Sequence, residues 1–152
     1  MDVEGRKCRI CGNNVAILNR RVCNQCKHAK DKHKWQNSYE AYIGSRVRIA
    51  KARAKKYGLT FDIDSSFIFD LLEKQNYRCA MTGFPLTRTG EQGDHDLSID
   101  RVDSDRGYEK DNVVLVCNRV NMMKNTKSLD MFVWWCKAVA NYDQDRRSRQ
   151  ET

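Results

Sequence analysis

The chain has 152 residues, of which 40% are hydrophobic and 32% charged, and a formal net charge of +8 at neutral pH. This length suits a single domain with a modest core and a small module attached. No apolar run approaches the roughly 20 residues that cross a bilayer, and the N-terminus lacks an apolar secretory core. These features argue against a membrane or secreted protein and predict a cytoplasmic one.

The positive charge is concentrated in the first part of the chain. Residues 1–57 hold 15 Lys and Arg against 4 Asp and Glu, a net charge of +11, whereas residues 58–152 hold 13 against 16, a net charge of −3. A basic arm beside a locally acidic region is typical of a protein that binds a polyanion next to a cation site. A merely soluble, charged surface is the alternative interpretation.

Two Cys-x-x-Cys pairs stand near the N-terminus, in a predicted module spanning residues 1–37. Four thiolates at this spacing predict a closed, tetrahedral, structural Zn²⁺ site, whereas a redox dithiol would explain only one pair. His28 and His33 lie just beyond the second pair and could replace a cysteine ligand. The expected zinc ligands are Cys8, Cys11, Cys23 and Cys26.

A basic helix is predicted over residues 38–58, with Ser38 as its N-cap and Gly58 as its end. An apolar stripe is expected to pack this helix on the core; its members are Ile43, Val47, Ala50, Ala54 and Tyr57. Cations on the remaining surface could follow a DNA backbone or enter its major groove, and a solvated linker helix is the alternative. The cations expected to contact nucleic acid are Lys34, Arg46, Arg48, Lys51, Arg53, Lys55, Lys56 and Lys124.

Supporting elements flank the central stretch of the chain. Residues 59–63 alternate as an extended segment, and a helix is predicted from Asp64 or Ser65 to Gln75. Cys79 and Cys117 are expected to be buried neighbours without metal, because two thiols do not make a stable zinc site.

The last predicted helix covers residues 129–141, with Ser128 as its cap. Its expected packing face consists of Phe132, Trp135, Cys136 and Val139. Residues 143–152 are charged and lack apolar periodicity, which predicts a disordered, frayed tail.

The central stretch, residues 97–124, predicts a strand, a loop, a second strand and a helix, which together make a ββα unit. Phosphodiester hydrolysis at neutral pH requires a divalent cation and a base that deprotonates water. Asp100 at the first strand's end and Asn121 on the helix could supply two oxygen ligands to Mg²⁺. Asp103 could add a ligand or a base, although an Asp in such a turn more often caps the backbone.

These residues resemble the HNH, or His-Me finger, endonucleases, and are most like the phage and prophage branch of that family. The motifs that carry the resemblance are Ser98-Ile99-Asp100-Arg101-Val102-Asp103, Gly107-Tyr108, Asn112 and Asn121-Met122-Met123-Lys124. The resemblance implies an α+β protein with a ββα-metal nuclease domain over residues 59–142. It also implies a metal-dependent endonuclease, phage-encoded and of homing type, that acts on double-stranded DNA in a bacterial host as a monomer or homodimer. Whether it nicks one strand or cuts both is left open.

The resemblance further implies roles for individual residues. Asp100 matches the first ligand of Mg²⁺ or another divalent cation, Asn112 the residue that braces the loop, and Asn121 the last ligand. Arg101 occupies the place of the general base in many relatives, but a guanidinium stays protonated and could instead contact phosphate. His95 is the nearest substitute base, because His titrates in the required range.

Two other interpretations remain open from the sequence. One is a DNA-binding module without catalysis, in which Arg101 marks the loss of the base. The other is a zinc-ribbon interaction protein of a transcription or packaging complex, which would bind a protein partner tightly and DNA without salt dependence.

Overall fold

The computed structural model of the protein describes residues 7–8, 11, 23, 25–26, 38–90 and 92–150. The architecture is α+β: helices surround a small antiparallel sheet of two strands. In chain order the elements are α1 (Tyr39–Tyr57), α2 (Ser65–Lys74), β1 (Leu97–Arg101), β2 (Val113–Cys117), α3 (Asn118–Lys124) and α4 (Leu129–Gln150). The predicted ββα unit is therefore confirmed, with β1, β2 and α3 as its parts.

Helix α1 begins and ends as its sequence predicts. The Ser38 hydroxyl accepts a hydrogen bond from the backbone N–H of Ala41 at 3.3 Å, and Gly58 adopts the left-handed conformation with φ of 65°. The fully buried apolar side chains are Tyr42, Ile43, Ala50 and Ala54. The predicted packing of Tyr57 is wrong, because its ring is 65% exposed at the end of the helix and lies under the Lys56 ammonium.

Helix α2 packs against α1 and β2. The Asp64 carboxylate caps its first turn by accepting from the backbone N–H of Phe67 at 2.8 Å. Ile68 and Leu72, one turn apart, are completely buried, and Phe67 and Leu71 are partly buried beside them. These four side chains form the apolar face through which α2 packs on the core.

The extended segment before α2 is bound to the loop between the two strands. The Tyr108 backbone N–H donates to the Thr60 carbonyl at 2.9 Å, and the Asp62 N–H donates to the Tyr108 carbonyl at 3.0 Å. Gly107 makes this approach possible, because a Cβ added there would lie 2.2 Å from the Thr60 carbonyl oxygen. Glycine at position 107 is thus required by a close backbone contact.

The hairpin runs in register from the pair Leu97–Cys117 to the pair Arg101–Val113. Side chains of a strand alternate between faces, so Leu97 and Ile99 point into the core while Ser98 and Asp100 point the other way. Contacts with α3 lie on this second face, where hydrogen bonds connect the strand to the helix. The face that carries the polar residues is therefore closed by α3 rather than left open to solvent.

Two predictions about the C-terminal region are corrected by the structure. Helix α4 continues to Gln150, so residues 143–150 are helical rather than a frayed tail. Ion pairs from Arg146 and Arg147 to Asp143, at 2.8 and 2.7 Å, connect neighbouring turns there. The predicted packing face is wrong as well: α4 has no buried residue, and Trp135, Cys136 and Val139 are exposed.

Among the described residues no helix is both long enough and apolar enough to cross a membrane.

Candidate metal and nucleic-acid site

The ββα unit places two residues of β1 opposite two residues of α3. Ser98 and Asp100 are two positions apart on the strand, and Asn121 and Lys124 are one turn apart on the helix. The Asn121 side-chain amide donates to the Ser98 hydroxyl at 2.6 Å. The Lys124 ammonium donates to Asp100 Oδ1 at 3.2 Å and to the Arg101 carbonyl at 3.0 Å. The predicted ligands Asp100 and Asn121 therefore share one face of the unit.

Lys124 and Asp100 form a buried ion pair, with side-chain exposures of 0% and 5%. Burial raises the pKa of Asp100, and the Lys124 ammonium opposes that rise. A lysine that is completely buried has no surface to offer to DNA, so the predicted nucleic-acid contact of Lys124 would require the ion pair to open. The sequence did not predict this pairing, because nothing in the local sequence distinguishes Lys124 from a surface cation.

The Asp100 carboxylate is the candidate ligand for a cation. Its Oδ2 is buried and, among the described atoms, accepts no hydrogen bond, although it lies 3.2 Å from the Lys124 nitrogen. A carboxylate oxygen and a neighbouring amide side chain are oxygen donors of the kind that Mg²⁺ accepts. One carboxylate is a minimal set, and such sites complete their shell with water and substrate phosphate. The donor types of Asp100 and Asn121 are therefore compatible with a divalent cation.

Asn112 lies inside the loop that joins the two strands, and only 1% of it is exposed. Its Oδ1 accepts from the Asp103 backbone N–H at 2.9 Å, while its Nδ2 donates to the carbonyls of Asp103 at 3.0 Å and Gly107 at 2.8 Å. These three bonds connect both sides of the loop. Asp103 itself caps the turn, because its Oδ1 accepts from the Asp105 N–H at 2.9 Å.

Arg101 is bound to the same loop. Its guanidinium donates to the carbonyls of Ser104 at 2.8 Å and Arg106 at 2.7 Å, and it stands over the Tyr108 ring. These contacts hold the positive charge of Arg101 against backbone oxygens. A contact from Arg101 to a phosphate would have to compete with them.

His95 is placed near the other end of the hairpin from Asp100. Its ring packs on Phe84 with centroids 5.4 Å apart, and its Nδ1 lies 4.0 Å from the Cys117 sulfur. Cys117 pairs with Leu97, three residues before Asp100, which corresponds to about 10 Å along a strand. The structure therefore does not bring His95 and Asp100 together.

Cys79 and Cys117 are buried neighbours, as predicted. The Cys117 backbone N–H donates to the Cys79 sulfur at 3.3 Å, and both side chains are almost completely buried. Burial, together with the neighbouring Cys79, raises the pKa of Cys117 to about 11. At neutral pH the Cys117 thiol is therefore protonated.

The four N-terminal cysteines come together as their spacing predicts. The sulfur atoms of Cys8, Cys11, Cys23 and Cys26 all lie within 4.8 Å of one another. Cys8 is buried, and the Cys23 backbone N–H donates to its sulfur at 3.3 Å. Four converging sulfurs of this kind suit a structural Zn²⁺ ion. His28, His33 and Lys34 lie outside the described residues.

The cations of α1 divide into two groups. Arg46 is half-buried: its guanidinium donates to the Tyr42 hydroxyl and stacks 4.7 Å from that ring. The other five are exposed and, within the described residues, form no ion pair; they are Arg48, Lys51, Arg53, Lys55 and Lys56. These five leave their charge open to solvent along one helix.

Asp96 is a buried carboxylate to which the sequence reasoning assigned no role. Its two oxygens accept from the Thr87 hydroxyl, the Thr89 hydroxyl and the backbone N–H groups of Thr89 and Gly93, at 2.7 to 3.2 Å. Burial raises the pKa of Asp96, but these hydrogen bonds outweigh it and hold the pKa below its ordinary value. Asp96 therefore serves as an anchor for the loop that precedes β1.

Comparison with known proteins finds distant likenesses, and no family model matches the chain. Uncharacterized protein R423 of Acanthamoeba polyphaga mimivirus is 28% identical over 130 residues, which are 82% of this chain and 23% of that protein. An uncharacterized 29.0 kDa protein from the dda–modA intergenic region of Enterobacteria phage T4 is 28% identical over 102 residues. That match covers 66% of this chain and 39% of the phage protein, so the chain spans well under half of each relative.

Among solved structures, that of the rare-cutting HNH restriction endonuclease PacI is similar, with 20% identity and a TM-score of 0.45. The likeness covers 93% of this chain and 97% of the PacI chain. It assigns no activity and no residue role to this chain.

Proposed function

We propose that this chain is a metal-dependent DNA endonuclease of HNH type that hydrolyses phosphodiester bonds in double-stranded DNA. One observation carries the proposal: the ββα unit places Asp100 and Asn121 on one face, with Asp100 Oδ2 buried and without a hydrogen bond. The Lys124 ammonium lies 3.2 Å from this oxygen and offsets its charge, and the carboxylate still has lone pairs that could bind a cation. Hydrolysis would need a divalent cation at Asp100, and a cation bound at that position would neutralise charge on the scissile phosphate.

The residues of this chain take separate parts in the proposal. Asp100 and Asn121 would hold the cation. Lys124 positions the Asp100 carboxylate, because its nitrogen lies 3.2 Å from both carboxylate oxygens and donates a hydrogen bond to Oδ1. Asn112 and Arg101 fix the loop that follows β1, because both bind its backbone carbonyls. The exposed cations of α1 bind phosphates of the duplex away from the cleavage point. The four-cysteine cluster keeps the N-terminal segment folded around Zn²⁺.

A non-catalytic DNA-binding module is the second candidate, and the ion pair itself favours it. Lys124 already neutralises Asp100 without a cation. Arg101 replaces the residue that serves as a base in many relatives, and His95 lies at the other end of the hairpin. Such a protein would bind DNA through α1 and leave it intact.

Conversion of supercoiled plasmid to nicked and linear forms, with Mg²⁺, Mn²⁺ or chelator, separates the two candidates. We expect metal-dependent cleavage that is lost in Asp100→Ala and in Asp100→Asn, whereas DNA affinity is retained. The Asn variant keeps the shape of the side chain and an oxygen for Lys124, so it guards against loss of fold. Asp70→Ala, an exposed acid on α2, is the matched control and should cleave as wild type does.

DNA binding without cleavage under any of these metals would contradict the enzyme and support the binding module. Cleavage that persists in Asp100→Asn would contradict the assignment of the metal ligand. His95→Ala in the same assay tests the base separately, and unchanged activity would clear His95 of that role.

Binding by α1 has its own test. Arg48, Lys51 and Lys55 recur at helical spacing on one side of α1, so a duplex backbone could contact all three. Replacing the three with Ala should lower affinity and reduce the slope of log affinity against log salt by roughly 0.9 per lost phosphate contact. An unchanged salt slope would remove α1 from the DNA interface.

A further inference from the structure

We infer that helix α4 pairs with α4 of a second copy of this chain, antiparallel, in a homodimer. In a single copy, α4 is not packed on the rest of the described chain. Within the described residues, the 22-residue α4 has no buried side chain and makes no substantial packing contact with another element. Most helical stability in proteins comes from packing of an apolar face rather than from intrinsic propensity. A long helix whose apolar face is uncovered therefore calls for a partner.

The uncovered face is large and aromatic. Trp134, Trp135, Val139 and Tyr142 are between 52 and 72% exposed, and the two indole rings contact each other edge to face at 4.8 Å. Trp134 lies to one side of this face. With Met131, also more than half exposed, Trp135, Val139 and Tyr142 leave roughly 450 Å² of uncovered surface, taking about 150–250 Å² for a whole aromatic side chain. That area is in the range of the largest patch on a typical monomer. It is somewhat more than half of the roughly 800 Å² that each partner contributes to a standard interface.

The shape of this face identifies the kind of occupant. A shallow depression on α4, largely open to solvent, is lined by Trp135, Ala138, Val139, Tyr142 and Asp143. The first four stand at positions i, i+3, i+4 and i+7, which is the set of four residues that forms a hole for one side chain of a facing helix. The occupant expected in such a hole is a large apolar side chain carried by another helix.

The spacing of apolar residues shows that α4 itself can supply that side chain. Phe132, Trp135, Val139 and Tyr142 are separated by three, four and three residues, which is the spacing of a helix–helix seam. If a two-fold axis passes at the level of residue 137, Phe132 faces the partner's Tyr142 and Trp135 faces the partner's Val139. Trp135 then enters the hole of the partner, and the same contact repeats on the other side of the axis, as an isologous interface requires.

Charge selects the antiparallel orientation. The seam continues at Arg146 and Arg149, in the last turns of the helix. A parallel pair would place each of these arginines against its own copy, and like charges at facing positions are destabilising. The antiparallel pair keeps the apolar residues together and leaves the arginine-rich ends outside the central contact.

Sedimentation of the full chain with its zinc, over a range of micromolar concentrations and with a phosphine reductant, tests the inference. The reductant prevents exposed Cys136 from joining two chains by a disulfide. We expect a monomer–dimer equilibrium that Val139→Asp shifts by at least about tenfold in dissociation constant, which corresponds to 1.4 kcal/mol. Val133→Asp is the matched control: it is the same substitution on the opposite face of α4, and it should change the constant by less than about twofold.

A chain that stays monomeric at all these concentrations would overturn the inference, and so would a dimer that Val139→Asp and Val133→Asp weaken equally. Circular dichroism of both variants verifies that α4 is still formed. The test does not depend on the proposed nuclease activity, so the two proposals can fail separately.

Crosslinking tests the orientation. In a Cys136→Ser background, we expect Met131→Cys and Asp145→Cys chains to be joined by a short bismaleimide when mixed, because the antiparallel pair brings these positions together. Each variant alone should crosslink poorly, since its two cysteines would lie about 20 Å apart at 1.5 Å per residue. Mixed chains that crosslink no better than either variant alone would overturn the antiparallel arrangement.

Discussion

Replacement of Lys124 by Met should destabilise the protein strongly, and more so at neutral than at acidic pH. The methionine keeps most of the volume of the lysine stem but removes the ammonium that faces Asp100 at 3.2 Å. Breaking a buried pair by removing one partner costs about 3 to 5 kcal/mol, because the other charge stays buried without compensation. With urea dependences of about 1 to 3 kcal/mol per molar, the unfolding midpoint should fall by roughly 2 M.

The pH dependence follows from the state of Asp100. Burial already raises its pKa above the ordinary 3.8, and Lys124 opposes that rise. A carboxyl whose pKa is higher in the folded state favours folding when protonated. That contribution is complete below the unfolded-state pKa and is lost as pH rises through the folded-state value. Without Lys124 the pKa of Asp100 should rise further, so the loss of stability in Lys124→Met grows between acidic and neutral pH.

The measurement is urea unfolding of wild type, Lys124→Met, Asp100→Asn and the double variant, at about pH 5 and about pH 8. Circular dichroism is the suitable signal, because Trp134 and Trp135 lie on the exposed face of α4 and report poorly on the core. The double variant removes both charges, so we expect it to be more stable than Lys124→Met alone, with a coupling of about 2 kcal/mol.

Two results would refute this reasoning. One is a loss of stability in Lys124→Met that is the same at both pH values. The other is a double variant that is no more stable than Lys124→Met, because the penalty could not then come from an unpaired Asp100 charge.

Three further predictions concern other parts of the molecule. Gly107→Ala should lower the unfolding free energy by about 1 to 3 kcal/mol, because its Cβ would meet the Thr60 backbone at 2.2 Å. Gly44 lies within α1, and a Cβ added there would meet only the Ser65 hydroxyl, at 3.9 Å, so Gly44→Ala should raise the unfolding free energy by about 1 kcal/mol. If urea unfolding showed the same change for both variants, the close contact at Gly107 would be contradicted. Metal analysis should find about one zinc per chain, lost in Cys23→Ser, and a zinc-free native chain would remove the site. The pKa of Asp96 is lower in the folded state than its ordinary value of 3.8, so this carboxylate stabilises the fold above pH 3.8 and the stabilisation is lost as the pH falls through the folded-state pKa. The unfolding free energy of Asp96→Asn should therefore fall less steeply in acid than that of the wild type.

The sequence predicted best where local rules decide the structure. The caps at Ser38 and Asp64 and the end at Gly58 depend on near neighbours, and the structure has them where the sequence predicts them. The cysteine cluster followed from ligand spacing alone.

The sequence predicted poorly where a side chain chooses between distant partners. Lys124 looks like any surface cation in a basic protein, and only the packing of α3 on β1 shows that it is buried against Asp100. Arg101 likewise could have faced a phosphate, but its guanidinium donates hydrogen bonds to the backbone carbonyls of Ser104 and Arg106 instead. The apolar spacing of α4 predicted a packed face, but within the described residues no other element covers that face, and spacing along one helix cannot show this.

The ion pair between Asp100 and Lys124 also constrains any cation that the proposed enzyme uses. Both oxygens of Asp100 lie 3.2 Å from the Lys124 nitrogen, but only Oδ1 accepts a hydrogen bond from it. A divalent cation that binds Asp100 would share the carboxylate with the Lys124 ammonium, which would repel the cation and weaken its binding. The negative charge of a DNA phosphate would offset this repulsion, so the cation should bind more tightly when substrate is present. On the proposed function, therefore, Lys124 both stabilises the fold without metal and makes occupancy of the metal site depend on DNA.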